Sequence, residues 1–309
     1  MKLKFFTLLL LSAACFVSCR KVTNDPDIKQ YDQQQIQSYI AANGLTGMVR
    51  DTTMGDTTGT YYQILSPGKG EQLNYPSTVS YVYTLRSFDG KYIASDTAVN
   101  HSYGILGHVV PNGLMLAIVN NLKYNGGKMR VLVPSHLAYG KSGKGSGSNT
   151  LTNTRIGGNQ CLDITVSLIV DQAAYDQLVI KNYMAANNLT GYTKTADGLW
   201  YKITTVPTGA NYINNTSTVT MNYSIYLMNN TNPDPQNSYA TTLATFTDFG
   251  VGTYVAGFEE GLKILGRGAG GISIIVPSGL AYGTAGNSSS IPPNECLRWD
   301  MTNVSVTNQ

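Results

Sequence analysis

Charged residues are scarce in this chain of 309 residues, and neither sign of charge dominates. They make up 13% of the sequence, with 21 Lys and Arg against 18 Asp and Glu. Lys2 and Lys4 lie in an N-terminal segment that we expect to be removed, so the mature chain is close to neutral. A protein that binds nucleic acid through its phosphates needs a basic face. The composition therefore argues against a nucleic-acid partner.

Histidine and cysteine, which bind transition metals, are also rare. The chain has 3 His and 4 Cys, and no Cys, His or carboxylate cluster accompanies His101 and His108 at ligand spacing. Cys161 and Cys296 stand in similar local sequences, Asn-Gln-Cys-Leu and Asn-Glu-Cys-Leu, so we expect two separate, free and buried thiols. No nucleophile triad or phosphate-binding loop stands out either. We expect no metal and no cofactor.

Long apolar runs are absent beyond the N-terminus. Residues 5–17 form an apolar run behind a basic start, too short to span a bilayer, which indicates a secretion signal. A serine followed by Cys19 at the end of this run resembles a bacterial lipoprotein lipobox. We therefore expect residues 1–18 to be the signal, Cys19 to be lipidated and residues 19–29 to be a flexible tether. Lipidation at Cys15, or an ordinary cleaved signal, remain alternatives.

Two sequence motifs occur twice with nearly the same spacing. Val133-Pro-Ser-His-Leu-Ala-Tyr-Gly140 returns 143 positions later (276 − 133) as Val276-Pro-Ser-Gly-Leu-Ala-Tyr-Gly283. An upstream motif that begins at Tyr39 returns from Tyr183, an offset of 144 (183 − 39). A repeat of this length is the size of a domain and not of a solenoid unit. The sequence therefore predicts a duplicated domain.

Each copy, residues 30–171 and residues 172–309, is predicted to be an α+β domain that begins with a helix. Apolar residues recur at helical spacing before Asn43 and Asn187, where the helices are expected to end. These stripes are Tyr31, Ile36, Tyr39 and Ile40 in the first copy and Tyr175, Leu178, Tyr183 and Met184 in the second. β-rich segments follow at residues 60–65, 78–84, 128–133 and 162–169, and again at 199–204, 218–224, 271–276 and 297–304.

Three further motifs follow one another in the second copy. They are Val255-Ala-Gly-Phe-Glu-Glu-Gly261, the Val276 motif, and Ile291-Pro-Pro-Asn-Glu-Cys-Leu297. In this order, residues 219–306 resemble the FK506-binding-protein (FKBP) family of peptidyl-prolyl cis–trans isomerases. The resemblance implies a curled antiparallel sheet over one short helix, which matches the helix expected at residues 255–265. The side chains of Glu259 and Glu260 are interpreted as a solvated helix start.

The resemblance also implies a pocket that binds proline. Phe258 is its expected floor, and Val255 and Tyr282 are expected to donate hydrogen bonds to substrate carbonyls. The implied catalytic set is Tyr223, Val255, Phe258, Tyr282, Ile291 and Trp299, with substrate contacts from Tyr239, Phe246 and Phe249. Ala240 stands where the family carries an Asp that helps catalysis. The resemblance therefore implies a weak isomerase.

The first copy departs further from the family pattern. Tyr83 and Tyr139 keep tyrosine positions, and Val109 or Val110 is expected to supply the backbone donor. The other lining positions are changed, at Leu114, Ile93-Ala94, Ile164 and Gly157-Gly158. Fewer aromatic rings leave less area for a prolyl ring to stack on, and two glycines loosen a loop. We expect this copy to be inactive.

The whole chain resembles exported lipoproteins of the Bacteroidetes type. This implies a monomer held by lipid at the outer membrane, on its periplasmic side. Its expected partners are proline-containing unfolded or exported polypeptides. Two other interpretations stay open: a peptide-binding or chaperone module without turnover, and an accessory lipoprotein of an outer-membrane assembly.

Overall fold

The structure, a computed structural model, describes residues 27–53, 55, 58–94, 102–147, 153–228, 243–249, 252–287 and 290–308. In this part of the chain the helices and strands form two successive groups that share no sheet. We refer to residues 28–169 as the first unit and to residues 172–308 as the second unit.

The first unit is an antiparallel sheet with two α-helices. The helices are α1 (Ile28–Ala42) and α2 (Asn112–Ala117), and α2 continues into a π-helical turn (Ile118–Leu122). The strands are β1 (Val49–Arg50), β2 (Tyr61–Ser66), β3 (Thr78–Ser87), β4 (Ile93–Ala94), β5 (Ser102–Ile105), β6 (Lys128–Val133), β7 (Lys144–Gly145), β8 (Arg155–Ile156) and β9 (Leu162–Ile169). The sheet order is β1-β2-β6-β9-β3-β4, with β5 also on β3, while β7 and β8 pair with each other.

The second unit repeats this plan. Its helices are α3 (Gln172–Ala186) and α4 (Ala256–Leu265). Its strands are β10 (Thr193–Lys194), β11 (Trp200–Thr205), β12 (Ser217–Leu227), β13 (Ala244–Phe246), β14 (Gly270–Val276) and β15 (Leu297–Asn308). All pairings in the sheet order β10-β11-β14-β15-β12-β13 are antiparallel. The mixed α+β class and the leading helices expected from the sequence are confirmed.

Helices cover both faces of the second sheet. Strand β14 is buried at every position, and its side chains alternate between the two faces, as strand geometry requires. Ile274 packs in the cluster that contains α4, whereas Ile275 packs with Ile180 of α3 and with Cys296. The α3 helix is thus a docked layer of the fold, as its apolar stripe predicted.

Each leading helix is also held by a buried carboxylate. Asp176 of α3 accepts hydrogen bonds from Ser278 N and Ser278 Oγ, at 2.8 and 2.7 Å. Asp32 of α1 lies 2.8 Å from Nδ1 of His136 and accepts from its backbone N at 3.2 Å. The turn that contains His136 and the turn that contains Ser278 each gain an acceptor for polar groups that are buried away from water.

The cysteines behave as the sequence predicted. Cys161 and Cys296 are free and buried, and burial raises the pKa of both thiols. Among the described residues no His, Cys, Asp and Glu side chains form a group of three that would hold a metal. No helix in the same residues has the length and apolar character needed to cross a bilayer.

The predicted stripes are wrong at two positions, Tyr31 in α1, which is 38% exposed, and Leu178 in α3. Leu178 was expected to face the core, but it is 54% exposed, whereas Ile180 is fully buried. The helix turns so that Asp176, Ile180 and Tyr183 face the sheet. A buried Asp is part of this face, which an apolar pattern alone does not reveal.

Substitution of Ile180 by Ala should therefore destabilise the second unit by about 3 kcal/mol, because it leaves a cavity between α3 and the sheet. The matched change Leu178→Ala should cost about 0.5 kcal/mol or less, since that side chain lies in solvent. Thermal unfolding followed by circular dichroism measures both. Equal losses would show that α3 is not docked through Ile180.

Candidate active site

An aromatic cavity opens on the face of the second sheet that α4 covers. Its volume is about 150 Å³. It is lined by Tyr223, Ile225, Phe246, Thr253, Tyr254, Val255, Phe258, Tyr282 and Trp299. The lining is almost entirely apolar or aromatic, which suits an uncharged ring more than an ion.

The start of α4 places the floor of the cavity. Gly257 lies so close to β14 that a Cβ there would overlap Cγ1 of Val276, so only glycine lets the helix approach the strand. The next residue, Phe258, is turned under the cavity and is 4% exposed. Its ring centroid lies 6.3 Å from that of Trp299, which is 2% exposed on the central strand β15.

Three further aromatic side chains form the walls. The ring centroid of Phe246, on β13, lies 5.5 Å from that of Tyr223, 5.5 Å from that of Tyr254 and 5.0 Å from that of Phe258. The rings meet edge-on or tilted, the arrangements that aromatic quadrupoles favour. Tyr254 is fixed in turn because its hydroxyl accepts a hydrogen bond from Thr247 N at 3.2 Å. The cavity is therefore shaped before any ligand arrives.

Two polar groups border this apolar surface. Val255 is the N-cap residue of α4, so its N–H lies outside the helix ladder and near the positive end of the helix dipole. Tyr282 follows the 3₁₀ turn Ser278–Leu280 and contributes a side chain with a hydroxyl to the lining. Both groups can donate to a carbonyl oxygen beside a ligand in the cavity.

The residues expected from the sequence fall into three groups. Six of them line the cavity: Tyr223, Phe246, Val255, Phe258, Tyr282 and Trp299. Ile291 and Phe249 do not line it but are buried in the surrounding core, at 3% and 1% exposure. Tyr239, like Ala240, lies outside the described residues.

Sequence reasoning missed three lining residues, Ile225, Thr253 and Tyr254. Ile225 lies two positions after Tyr223 on β12, so strand alternation puts both on one face and could have revealed it. Thr253 and Tyr254 precede α4 in a loop. No periodic pattern indicates where a loop side chain points.

The corresponding site of the first unit has a different lining. Gly113 of α2 packs against Val133 as Gly257 packs against Val276, so Leu114 takes the place of Phe258. The same alignment puts Pro111 at the position of Val255. The expectation that Val109 or Val110 would supply the donor is therefore wrong, and proline has no N–H to donate.

Strand register shows that the first unit also has no counterpart of the Phe246 ring. Val219 pairs with Phe246 in the second unit, and its counterpart Val79 pairs with Gly104 in the first. At this register position the first unit therefore has no aromatic ring.

The first unit still has aromatic side chains near this position. Tyr83, Tyr92 and Tyr139 are partly buried against its core, and burial with the neighbouring tyrosines raises the pKa of Tyr83 to about 12. Lys144 Nζ donates to the Tyr139 hydroxyl at 3.3 Å. The first unit thus keeps tyrosines at the positions of Tyr223 and Tyr282, but it carries Leu114 and Ile164 where the second has the rings of Phe258 and Trp299.

The two acidic residues of α4 are less solvated than the sequence suggested. Glu259 is 9% exposed, and its carboxylate lies 4.0 Å from Lys263 Nζ. Partial burial, the hydrogen bond to Asp197 and the charge of Asp197 together raise the pKa of Glu260 to about 7. This carboxyl pair connects the helix of the site to the turn between β10 and β11.

The stability of the chain should consequently depend on the charge of Glu260. The pKa of Glu260 in the folded chain exceeds the usual 4.5, so the protonated side chain stabilises the folded state. This contribution to the free energy of unfolding is complete below about pH 4.5 and is lost as the pH rises through about 7. Glu260→Gln cannot ionise, so it should be more stable than the unmodified chain at pH 8. After allowance for solvent screening we expect about 1 kcal/mol.

Urea unfolding at pH 5 and pH 8 measures this effect, and the difference should shrink towards pH 5. The exposed residue Glu71 gives a control, because Glu71→Gln should change stability little at either pH. A stabilisation by Glu260→Gln that grows towards pH 5 would contradict the assignment.

The segment that carries the cavity is similar to one family of known proteins. Residues 209–302 match the profile of the FKBP-type peptidyl-prolyl cis-trans isomerases. This segment contains all nine residues that line the cavity. Residues 209–302 of the second unit are therefore similar to the FKBP-type peptidyl-prolyl cis–trans isomerases. No curated protein sequence matches the chain significantly.

Three solved structures are similar to parts of this chain. The three FKBP domains of wheat FKBP73 share 17% identity, with 82% of this chain and 97% of that chain covered and a TM-score of 0.34. FkpA from Escherichia coli shares 22%, covering 55% and 69%, with a TM-score of 0.34. A peptidyl-prolyl isomerase from Pseudomonas syringae pv. tomato shares 22%, covering 48% and 97%, with a TM-score of 0.33.

Proposed function

We propose that the second unit catalyses cis–trans isomerisation of Xaa-Pro bonds in the cavity around Phe258 and Trp299. The observation that carries the proposal is the coincidence of this aromatic cavity with the segment that matches the isomerase family. A volume of about 150 Å³ suits a single small ring such as that of proline. The substrate would thus insert one side chain and leave the rest of its chain outside.

The chemistry follows from the planarity of the peptide bond. Resonance gives the bond a rotation barrier of about 18–20 kcal/mol, and the twisted state loses that resonance and becomes less polar. An apolar cavity that excludes water favours the twisted bond over the hydrated planar one. Phe258, Trp299 and Tyr223 would supply the walls, while Val255 N–H and the Tyr282 hydroxyl would hold the flanking carbonyls. No residue needs to become a nucleophile.

Shortening the floor of the cavity should lower activity. Phe258→Leu gives the second unit the residue that the first carries at Leu114, and we expect kcat/KM for a prolyl tetrapeptide to fall about tenfold, which is about 1.4 kcal/mol of transition-state binding. Tyr282→Phe, which removes only a hydroxyl, should cost less, about threefold. A protease-coupled isomerisation assay on the full chain measures both.

The first unit offers a matched control for this experiment. Tyr139→Phe removes the hydroxyl at the position equivalent to Tyr282 and should leave kcat/KM unchanged. A folded chain without turnover would favour a binding or chaperone function instead. The exposed apolar side chains of Tyr103 and Ile105 on β5 favour that second candidate, because they can contact an unfolded chain.

The arrangement of the chain is part of the proposal. Two tandem FKBP-like domains, residues 30–171 and 172–309, account for the matching strand orders of the two sheets. The first would be the non-catalytic copy, since Leu114, Pro111 and Gly104 stand where the second has Phe258, Val255 and Phe246. The two units share a strand order but differ in the residues that line the site, and this difference supports the division of roles.

Location and substrates rest on the N-terminal sequence. A lipid on Cys19 would hold the chain at the outer membrane, on its periplasmic side, where exported polypeptides arrive unfolded. Xaa-Pro bonds in such proline-containing polypeptides are the proposed substrates. Ala240 stands where the resembled FKBP family carries an Asp that helps catalysis, which supports modest catalytic power.

Membrane attachment should depend on Cys19. A single acyl chain binds a membrane reversibly, whereas several buried chains anchor a protein stably. Cys19→Ala should therefore move the protein to the soluble fraction or leave its signal uncleaved, as measured by fractionation and mass spectrometry. Cys15→Ala is the control and should change nothing. The reverse result would place the lipid on Cys15.

A further inference from the structure

A short connection brings the first unit against the second. Strand β9 ends at Ile169 and α3 begins at Gln172, and Ser80 of β3 pairs with Ile169 across the first sheet. Ser80 therefore lies beside the start of α3. Its hydroxyl donates to Gln172 Oε1 at 3.0 Å and accepts from Asn294 Nδ2 at 3.2 Å. One serine of the first unit thus contacts two separate segments of the second.

The first contact continues into the second unit through buried groups. Gln172 Nε2 donates to Asp176 Oδ1 at 2.8 Å, and Asp176 Oδ2 accepts from Ser278 N at 2.8 Å and from Ser278 Oγ at 2.7 Å. Asp176 and Ser278 are each 1% exposed. Hydrogen bonds that are shielded from water in this way are strengthened and hold their geometry. Ser278 begins the turn that leads to Tyr282 at the cavity.

The second contact reaches Asn294, at the end of the loop that follows Tyr282. Asn294, which is 3% exposed, donates its backbone N–H to Gly283 O at 2.8 Å and so ties the end of this loop to the residue after Tyr282. At the other end of the loop, Asn287 N donates to Ile291 O at 2.8 Å. Both polar routes from Ser80 therefore end in the segments that carry Tyr282 and Ile291.

The first unit lacks the outward part of this network. Its Asp32 matches Asp176, but Ile28 stands where Gln172 stands, four positions earlier on the helix. Asn159 matches Asn294 and makes the same backbone bond, to Gly140 O at 2.8 Å, yet its side chain is exposed. The inner part of the network occurs in both units: a buried Asp of the leading helix that accepts from the following turn, and the backbone bond of Asn159 or Asn294. The outer part is found only where the two units meet.

We infer that the first unit serves as a positioning domain for the site of the second. Ser80, Gln172 and Asn294 are its positioning residues, and they act through Ser278 and Gly283 on the orientation of Tyr282. The inference rests on the proposed isomerase function for its kinetic consequence. A hydroxyl that orients a substrate carbonyl must be held within a fraction of an ångström, which a loop alone does not provide. A non-catalytic copy thereby gains a function in the catalytic one.

The test uses the full chain with Ser80→Ala and with Ser80→Thr, which keeps the hydroxyl. Ser80→Ala should raise KM for a prolyl tetrapeptide about threefold to tenfold with a smaller change in kcat, and Ser80→Thr should restore it. Hydrogen exchange should quicken at the amides of residues 278–287 and 291–294 in Ser80→Ala alone. Unfolding midpoints should fall only slightly, because Ser80 is half-buried and water can take the place of its hydroxyl.

Asn294→Gly and Asn159→Gly form a matched pair, since both positions have a positive φ that glycine accepts. Only Asn294→Gly should reproduce the effects of Ser80→Ala. Unchanged exchange in Ser80→Ala, or equal effects of the two glycine variants, would overturn the inference. Exchange is read without turnover, so an unmodified chain that shows no isomerisation would refute the proposed function, while the exchange data would still decide the coupling.

Discussion

The close approach of α4 to β14 is the constraint on which the rest of the second unit depends. Gly257 leaves no room for a Cβ beside Val276, and a Cβ on Gly261 would come within 2.7 Å of Ile274 Cδ1. Because α4 packs this closely on the sheet, its first turn is fixed in place and holds Phe258 beneath the cavity. Interiors pack at near-crystalline density, so even a methyl group here would displace the helix. The position of the aromatic floor is thus decided by glycines that make no contact with a ligand.

The same constraint holds in the first unit, where Gly113 faces Val133, yet the chemistry differs. The scaffold is kept while Leu114, Pro111 and Gly104 replace an aromatic floor, a backbone donor and an aromatic wall. Function is therefore located in the lining and not in the fold. Under the proposed tandem arrangement, the first unit is free to change its lining while its surface supports the second.

Much of this architecture could be predicted from the sequence, because periodic patterns determine helices and strands. The leading helices, α4 and the long strands lie within a few residues of their predicted bounds, and most of the cavity lining follows from the family motifs. The orientation of α3 could not be predicted, because a buried Asp176 shares its face with Ile180. Tyr254 was missed because loop residues follow no period.

Other features depend on contacts between segments that are distant in the sequence. The place of Pro111 opposite Val255 became evident only from the packing of the two glycines, and the effect of Asp197 on Glu260 only from their proximity in the fold. The contact of Ser80 with Asn294 joins residues 214 positions apart. Such pairs leave no local signal, so a single sequence does not reveal them.

The central claim is that proline binds in the second unit alone, between Phe258 and Trp299. Titration of the isotopically labelled full chain with a prolyl tetrapeptide, followed by heteronuclear NMR, tests it most directly. The account predicts saturable shifts at Tyr223, Phe246, Val255, Phe258, Tyr282 and Trp299, with none at Tyr83, Leu114 and Tyr139. Shifts centred on the first unit, or no saturable shifts in the cavity of a folded chain, would contradict it.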